Sequence, residues 1–248
     1  PEKINGFKEG EKVIVKLLDW PRENKSPFGE IIRSFGKGGQ YESEIKSILF
    51  ENKIREKFPQ EALEELKKIE KEEKGEQKRT DYREENVFTI DPISAKDFDD
   101  AISFKKEEEG NVKIGVHIAD VTHYIKPGTA LDKEAYKRGT SLYLPDRVVP
   151  MLPEKISNEL CSLNPGEEKK TFSFIFKLTP EGEIKNGRFE KTLIKSKRRF
   201  SYEEIQFLLE KKEEIIPEEI SLSKKAVKVE KEIIEAIHEL RKFTKARR

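Results

Sequence analysis

Val87-Phe88-Thr89-Ile90-Asp91-Pro92-Ile93-Ser94-Ala95-Lys96-Asp97-Phe98-Asp99-Asp100-Ala101-Ile102-Ser103-Phe104-Lys105 reads as two apolar runs separated by an acidic, turn-forming stretch. Val87 to Ile90 and Ala101 to Lys105 have the β-branched and aromatic content of strands. Between them, four carboxylates fall within ten residues, and only Lys96 offsets them. If the four converge in a partly buried cleft, their repulsion raises their pKa values unless a cation lies among them. Fully extended, the six steps from Asp91 to Asp97 would span roughly 20 Å, so convergence requires the Pro92 to Lys96 stretch to loop back. Carboxylates without His or Cys select a hard ion, magnesium or manganese. Two such ions about 4 Å apart could activate a water and stabilise a leaving oxygen in phosphodiester cleavage. The spacing and the missing glycine exclude an EF-hand calcium loop. Turn formation or helix capping by aspartate would explain the same residues without a metal.

On the C-terminal side, Val112 to Val121 reads as a third strand, Leu131 to Arg138 as a helix, and Phe172 to Leu178 as a buried strand. Ser201-Tyr202-Glu203-Glu204 has the form of a helix capping box ahead of Ile205, Leu208 and Leu209. A Lys/Glu-rich helix ends the chain. On the N-terminal side, Gly75 to Asn86 has the polar composition of a linker, which puts a boundary near Val87. Pro59 to about Glu73 reads as a helix with Ala62, Leu66 and Ile69 on one face. Residues 11 to 50 read as strands and turns: Glu11 to Leu18, a Pro21 to Pro27 turn region, Phe28 to Arg33, and a Gly36 to Gly39 loop. Too few strands follow for a closed five-stranded barrel of the OB type. The fold class is therefore mixed α+β, with part of a β-barrel at 1–55, a helical linker at 56–86, and an α/β region at 87–248.

The 248-residue chain carries 50 Lys and Arg against 49 Asp and Glu, so any attraction for phosphate must be local. Charged residues make up 40% of it, and the Lys and Glu content resembles that of proteins from hot environments. Cys161 is the only cysteine, which excludes an intrachain disulfide and fits a reducing cytoplasm. No apolar run approaches a membrane span and no secretory signal is present, so a cytoplasmic location is expected. Lys197, Arg198 and Arg199 lie in a basic run that could contact phosphates, and Arg241 to Arg248 form another. His117 and His123 sit in apolar, strand-like surroundings that favour structural roles over metal ligation or base catalysis. Cys161 has no evident activating base and reads as a small buried residue.

Four ordered segments resemble the ribonuclease II and ribonuclease R (RNB) exoribonuclease family. They are the acidic stretch, Val116-His117-Ile118-Ala119-Asp120-Val121, Arg138-Gly139-Thr140-Ser141-Leu142-Tyr143-Leu144-Pro145, and Pro150-Met151-Leu152-Pro153 running on to Leu160-Cys161-Ser162-Leu163-Asn164-Pro165. The resemblance implies that Asp91, Asp97, Asp99 and Asp100 hold catalytic magnesium, with manganese as the other option. It places the family's base-stacking tyrosine on Tyr143, with Arg138 opening the same segment as a further RNA-binding residue. It also implies the end of a second cold-shock domain at residues 1 to about 55, the first half of the RNB catalytic domain at 87–248, single-stranded RNA as substrate, hydrolysis from the 3′ end to 5′ monophosphates by a magnesium-dependent two-metal mechanism, and a monomeric full-length protein. The Gly139-Thr140-Ser141 block leans the resemblance towards the ribonuclease R branch. The family's later catalytic arginine and the second half of its catalytic domain have no counterpart here, so the 248 residues alone are expected to be inactive or nearly so. The competing reading is a non-catalytic RNA-binding module, and it has to explain four clustered carboxylates facing a polyanion.

Overall fold

The computed structural model describes residues 6–21, 26–71, 78–211 and 213–246. Most of the Pro21 to Pro27 turn region, the start of the 75–86 stretch and the last two arginines lie outside them. In chain order the elements begin with β1 (Glu11–Asp19), β2 (Phe28–Lys37), α1 (Tyr41–Glu51), α2 (Gln60–Lys71), β3 (Thr80–Tyr82) and β4 (Val87–Asp91). Next come β5 (Asp100–Lys106), β6 (Val112–Ala119), α3 (Val121–Tyr124), α4 (Ala130–Arg138), β7 (Leu142–Tyr143) and β8 (Val148–Val149). A π-helical turn at Lys155–Leu160 leads into β9 (Glu168–Leu178), β10 (Ile184–Lys195), β11 (Arg198–Ser201) and α5 (Tyr202–Lys211). The chain ends in β12 (Ile215–Ile216), β13 (Val227–Lys228) and α6 (Lys231–Ala246). The mixed α/β class is the one expected from the sequence.

The chain divides into two units. The smaller comprises residues 1–59 and 138–151. In it β1 and β2 form an antiparallel hairpin with irregular register, and α1 follows where the sequence reads as strand and turn. α1 buries only Ser43, Ser47 and Leu49, a stripe too poor in apolar residues to register as helical periodicity. Residues 138–151 belong here because Arg147 pairs with Glu42 and with Glu56 (3.3 Å), and the Tyr41 hydroxyl donates to Asp146 (3.0 Å).

The larger unit is built on a seven-stranded sheet of order β11-β4-β5-β6-β9-β10-β3. Its pairs are antiparallel except β11/β4 and β10/β3, the two at the edges. One face packs on α5 and α6, and Phe88, Phe104, Ile114, Phe200, Leu208 and Ile233 lie in the shared core. Phe88 and Phe200 meet edge to face at 5.8 Å. The capping box is closed as its sequence requires: the Ser201 amide donates to Glu204 Oε2 (3.0 Å) and the Glu204 amide to Ser201 Oγ (3.1 Å).

β3 and β10 are the elements the sequence conceals. β3 is three residues inside the stretch that reads as linker, too short to show alternation, yet it pairs with β10 and buries Tyr82. β10 is largely exposed over its first half and carries charge there, which masks its strand character.

The sheet's other face buries a polar cluster among apolar residues such as Val87, Ile175 and Ile194. His117 is fully buried, with Nδ1 2.8 Å from Ser173 Oγ and Nε2 2.9 Å from Ser103 Oγ. Gly115 is required beside it, because a Cβ there would lie 2.4 Å from Ser103 Oγ and 2.6 Å from the imidazole. This is the structural role expected of His117. Burial holds the imidazole down at about 4, so between pH 6.5 and 4 the unfolded chain takes up a proton that the folded chain refuses. Stability at this site is therefore complete above pH 6.5 and falls by about 3 kcal/mol as the pH drops through that window. Urea unfolding at pH 7.5 and 4.5 checks this: the loss should be smaller in His117→Gln than in the wild type, and equal losses would refute it.

Candidate metal centre on an aspartate loop

β4 ends on Asp91 and β5 begins on Asp100, so the acidic stretch is the connection between two paired strands. Its backbone is held from both sides. The Ala95 amide closes a turn on the Pro92 carbonyl (3.0 Å), which reverses the chain after Asp91. Arg199, on the neighbouring strand β11, donates through Nη2 to the carbonyls of Pro92 (2.7 Å) and Ile93 (2.8 Å). Its guanidinium lies 4.6 Å from the centre of the Phe98 ring. From the opposite side Ser162 Oγ accepts from the Phe98 amide (3.0 Å) and donates to the Lys96 carbonyl (3.1 Å). The Leu163 amide caps the Phe98 carbonyl (2.9 Å), and the Ala119 amide caps the Asp99 carbonyl (2.9 Å). The Leu160 to Pro165 segment singled out in the sequence thus supplies two of the acidic loop's supports, Ser162 and Leu163.

Asp91 is the buried member of the quartet, at 9% exposure, while Asp99 and Asp100 are exposed and Asp97 is half-buried. Burial pushes the Asp91 carboxyl up, the Thr89 hydroxyl and then the Arg199 charge oppose the rise, and the charges of Asp100 and Asp97 add to it. Asp99 is raised too, first by desolvation of its carboxyl and then by Asp97, Asp100 and Asp91. A cation among the four would reverse the like-charge part of both rises. Asp91 Oδ2 is buried without a hydrogen-bond partner, and so is Arg199 Nε. A buried carboxylate oxygen with no donor is costly, and an all-oxygen set of this kind suits a hard divalent cation. Among the described residues, however, no three His, Cys, Asp or Glu side chains are gathered closely enough to hold an ion. The four carboxylates lie within electrostatic reach of one another without forming a closed cage.

The other residues singled out in the sequence are placed as follows. Lys197 Nζ bonds Asn86 Oδ1 (2.9 Å), and Arg198 lies over the Phe200 ring (4.6 Å) within 3.6 Å of Glu204. Tyr143 and Arg138 belong to the smaller unit. Tyr143 is 68% exposed on β7, and Arg138 stacks on Phe58 (3.8 Å) while donating to the Pro150 and Lys57 carbonyls (both 3.0 Å). His123 is buried with Nε2 2.9 Å from Lys170 Nζ, and Cys161 is buried. Sequence reasoning missed Arg79, whose Nη2 meets Asp120 Oδ2 at 2.6 Å with both side chains buried. Asp120 was visible in its motif, but its partner lies 41 residues away in a polar stretch with no periodic signal.

The RNB domain matches residues 79–248, and a cold shock domain matches residues 1–59. The chain belongs to the RNB family. It is 40% identical to ribonuclease R of Thermotoga maritima over 85% of this chain, which is 30% of that protein. The structure of Mycoplasma genitalium RNase R in complex with ribose methylated single-stranded RNA superposes on it with a TM-score of 0.75 at 30% identity, over 89% of this chain and 34% of that one. This RNB chain therefore spans about a third of the length of these relatives. Yeast Ssd1, a pseudonuclease, shares the fold with a TM-score of 0.61 at 24% identity, over 81% of this chain and 26% of that one. No helix among the described residues is long and apolar enough to cross a membrane.

Proposed function

We propose that this chain is part of a cytoplasmic, monomeric 3′ to 5′ exoribonuclease that hydrolyses single-stranded RNA to nucleoside 5′-monophosphates. The observation that carries the reading is the buried, unpartnered Asp91 Oδ2 at the end of β4, set among three further carboxylates on a loop whose backbone is fixed at both ends. In this reading Asp91, Asp97, Asp99 and Asp100 hold magnesium, or manganese in its place, and closing around it takes side-chain rotation on that fixed backbone. When bound, the metal supplies an activated water and neutralises charge on the leaving oxygen. Asp91 contributes the desolvated ligand, whose attraction for a cation is least screened by water. Asp99 and Asp100, being exposed, are the carboxylates accessible to a phosphodiester from solvent. Tyr143 offers an exposed ring for base stacking, and Arg138, Lys197 and Arg198 supply positive potential for phosphates.

The second reading is a non-catalytic RNA-binding module. It is favoured by the absence of a gathered three-ligand set among the described residues. A 5′-labelled poly(A) assay with magnesium separates the two. A longer protein containing this chain should shorten the RNA from its 3′ end and release nucleoside monophosphates, whereas the 248 residues alone should bind RNA with little or no turnover. Binding without turnover by the longer protein would establish the module instead. In the same binding measurement Tyr143→Ala should weaken RNA affinity by about 1 to 3 kcal/mol irrespective of base sequence. An unchanged dissociation constant would remove Tyr143 from the interface.

A further inference from the structure

The basic run around Arg199 reads in the sequence as a phosphate contact, but the side chain is already committed. One guanidinium nitrogen donates to two consecutive carbonyls, Pro92 O at 2.7 Å and Ile93 O at 2.8 Å, and the guanidinium carbon lies 4.6 Å from the Phe98 ring centre. Pro92 follows Asp91 directly, and Phe98 lies between Asp97 and Asp99. Arg199 is itself fixed in β11, where it is the register partner of Thr89 on β4. Across the loop, the fully buried Ser162 ties Lys96 O and Phe98 N. Besides these two side-chain anchors, the loop backbone is held by the Ala95 to Pro92 turn and, at its far end, by the Leu163 and Ala119 amides on the Phe98 and Asp99 carbonyls.

We infer that Arg199, with Ser162 opposite it, is a positioning residue: it holds the Asp91 to Asp100 backbone in the shape that presents the carboxylates to a divalent cation. This rests on the metal reading of the loop given above. The sign of the effect separates positioning from simple charge. Arg199 is a cation beside Asp91, so its charge alone opposes metal binding, and removing that charge should tighten the site. Removing a support that orients ligands should loosen it by about 10- to 100-fold. Lysine keeps the charge, but its point-like ammonium lacks the extended guanidinium that donates to both carbonyls from one end while packing against Phe98.

The test is Mn2+ titration of the 248-residue chain, followed by the electron paramagnetic resonance of the free ion, with thermal melting to establish that each variant folds. Arg199→Leu and Arg199→Lys should each weaken Mn2+ binding about tenfold or more, and Ser162→Ala, which changes no charge, should weaken it in the same direction. Arg199→Leu binding as tightly as wild type, or more tightly, overturns the positioning role. So does full retention of affinity in Arg199→Lys. If Arg199→Leu does not fold, the lysine and Ser162 variants decide on the same criteria. A folded wild-type chain that takes up no Mn2+ overturns the metal reading and the positioning role together, so failure of the two is distinguishable.

Discussion

Asp91→Asn should abolish magnesium-dependent RNA hydrolysis in a full-length protein carrying this chain and, in the same substitution, leave the metal-free fold as stable as before or more so. The two effects have one cause. Asp91 is buried with Oδ2 lacking a donor, and burial and neighbouring carboxylates push its pKa up. A carboxyl raised in the folded state contributes stability that is present below its unfolded pKa of roughly 3.9 and is lost as pH rises through the folded value. At neutral pH the ionised group is therefore a burden that an uncharged amide of the same shape removes. Catalysis responds with the opposite sign. A metal ligand stabilises transition-state charge by several kcal/mol, so its loss should lower the rate about a hundredfold or more. Magnesium should raise the melting temperature of the wild type by mass action, EDTA should reverse the rise, and Asp91→Asn should respond to neither. A variant that melts lower than wild type without metal, or that still gains stability from magnesium, would show that Asp91 is a structural residue.

Arg79→Met should be the most destabilising single substitution proposed for this chain, at about 3 to 5 kcal/mol. Arg79 and Asp120 meet at 2.6 Å with 4% and 2% of their side chains exposed, and Arg79 also donates to the Thr171 carbonyl at 3.0 Å. Burial alone would push the Asp120 carboxyl up, but hydrogen bonds from Thr122 and Arg79 outweigh it and hold the group below its ordinary range. Its contribution is thus present at neutral pH and is lost as pH falls through the lowered folded value. Methionine fills the volume but leaves a buried, unpaired carboxylate, which carries most of the cost. Adding Asp120→Asn removes that charge, so the double variant should recover more than half of the loss in urea unfolding. If the two substitutions instead add independently, the pair carries no coupling energy. Against a typical total stability of about 5 to 15 kcal/mol, the single change alone could leave the chain substantially unfolded at 37 °C.

The parts of this protein legible in the sequence are those whose cause is local. The strands flanking the acidic loop announce themselves by composition, and the α5 capping box by a serine and a glutamate three residues apart, because helix geometry brings those groups together whatever surrounds them. The acidic quartet is legible as four like charges close in sequence, which call for a cation only if the fold makes them converge. His117 is legible as structural because an imidazole in an apolar strand needs partners, although Ser103 and Ser173 could not be named.

Tertiary structure decided which groups answer these demands. Arg199 and Ser162 meet the loop from 107 and 66 residues away, and Arg79 meets Asp120 across a similarly unmarked separation. The three-residue strand β3 exists only because β10 offers it an edge. A side chain's chemistry states how many hydrogen bonds it can make but not with whom, and pairings across such separations leave no periodicity in the chain. Whether an arginine in a basic run faces phosphate or holds a loop is therefore settled only when the strands are laid side by side.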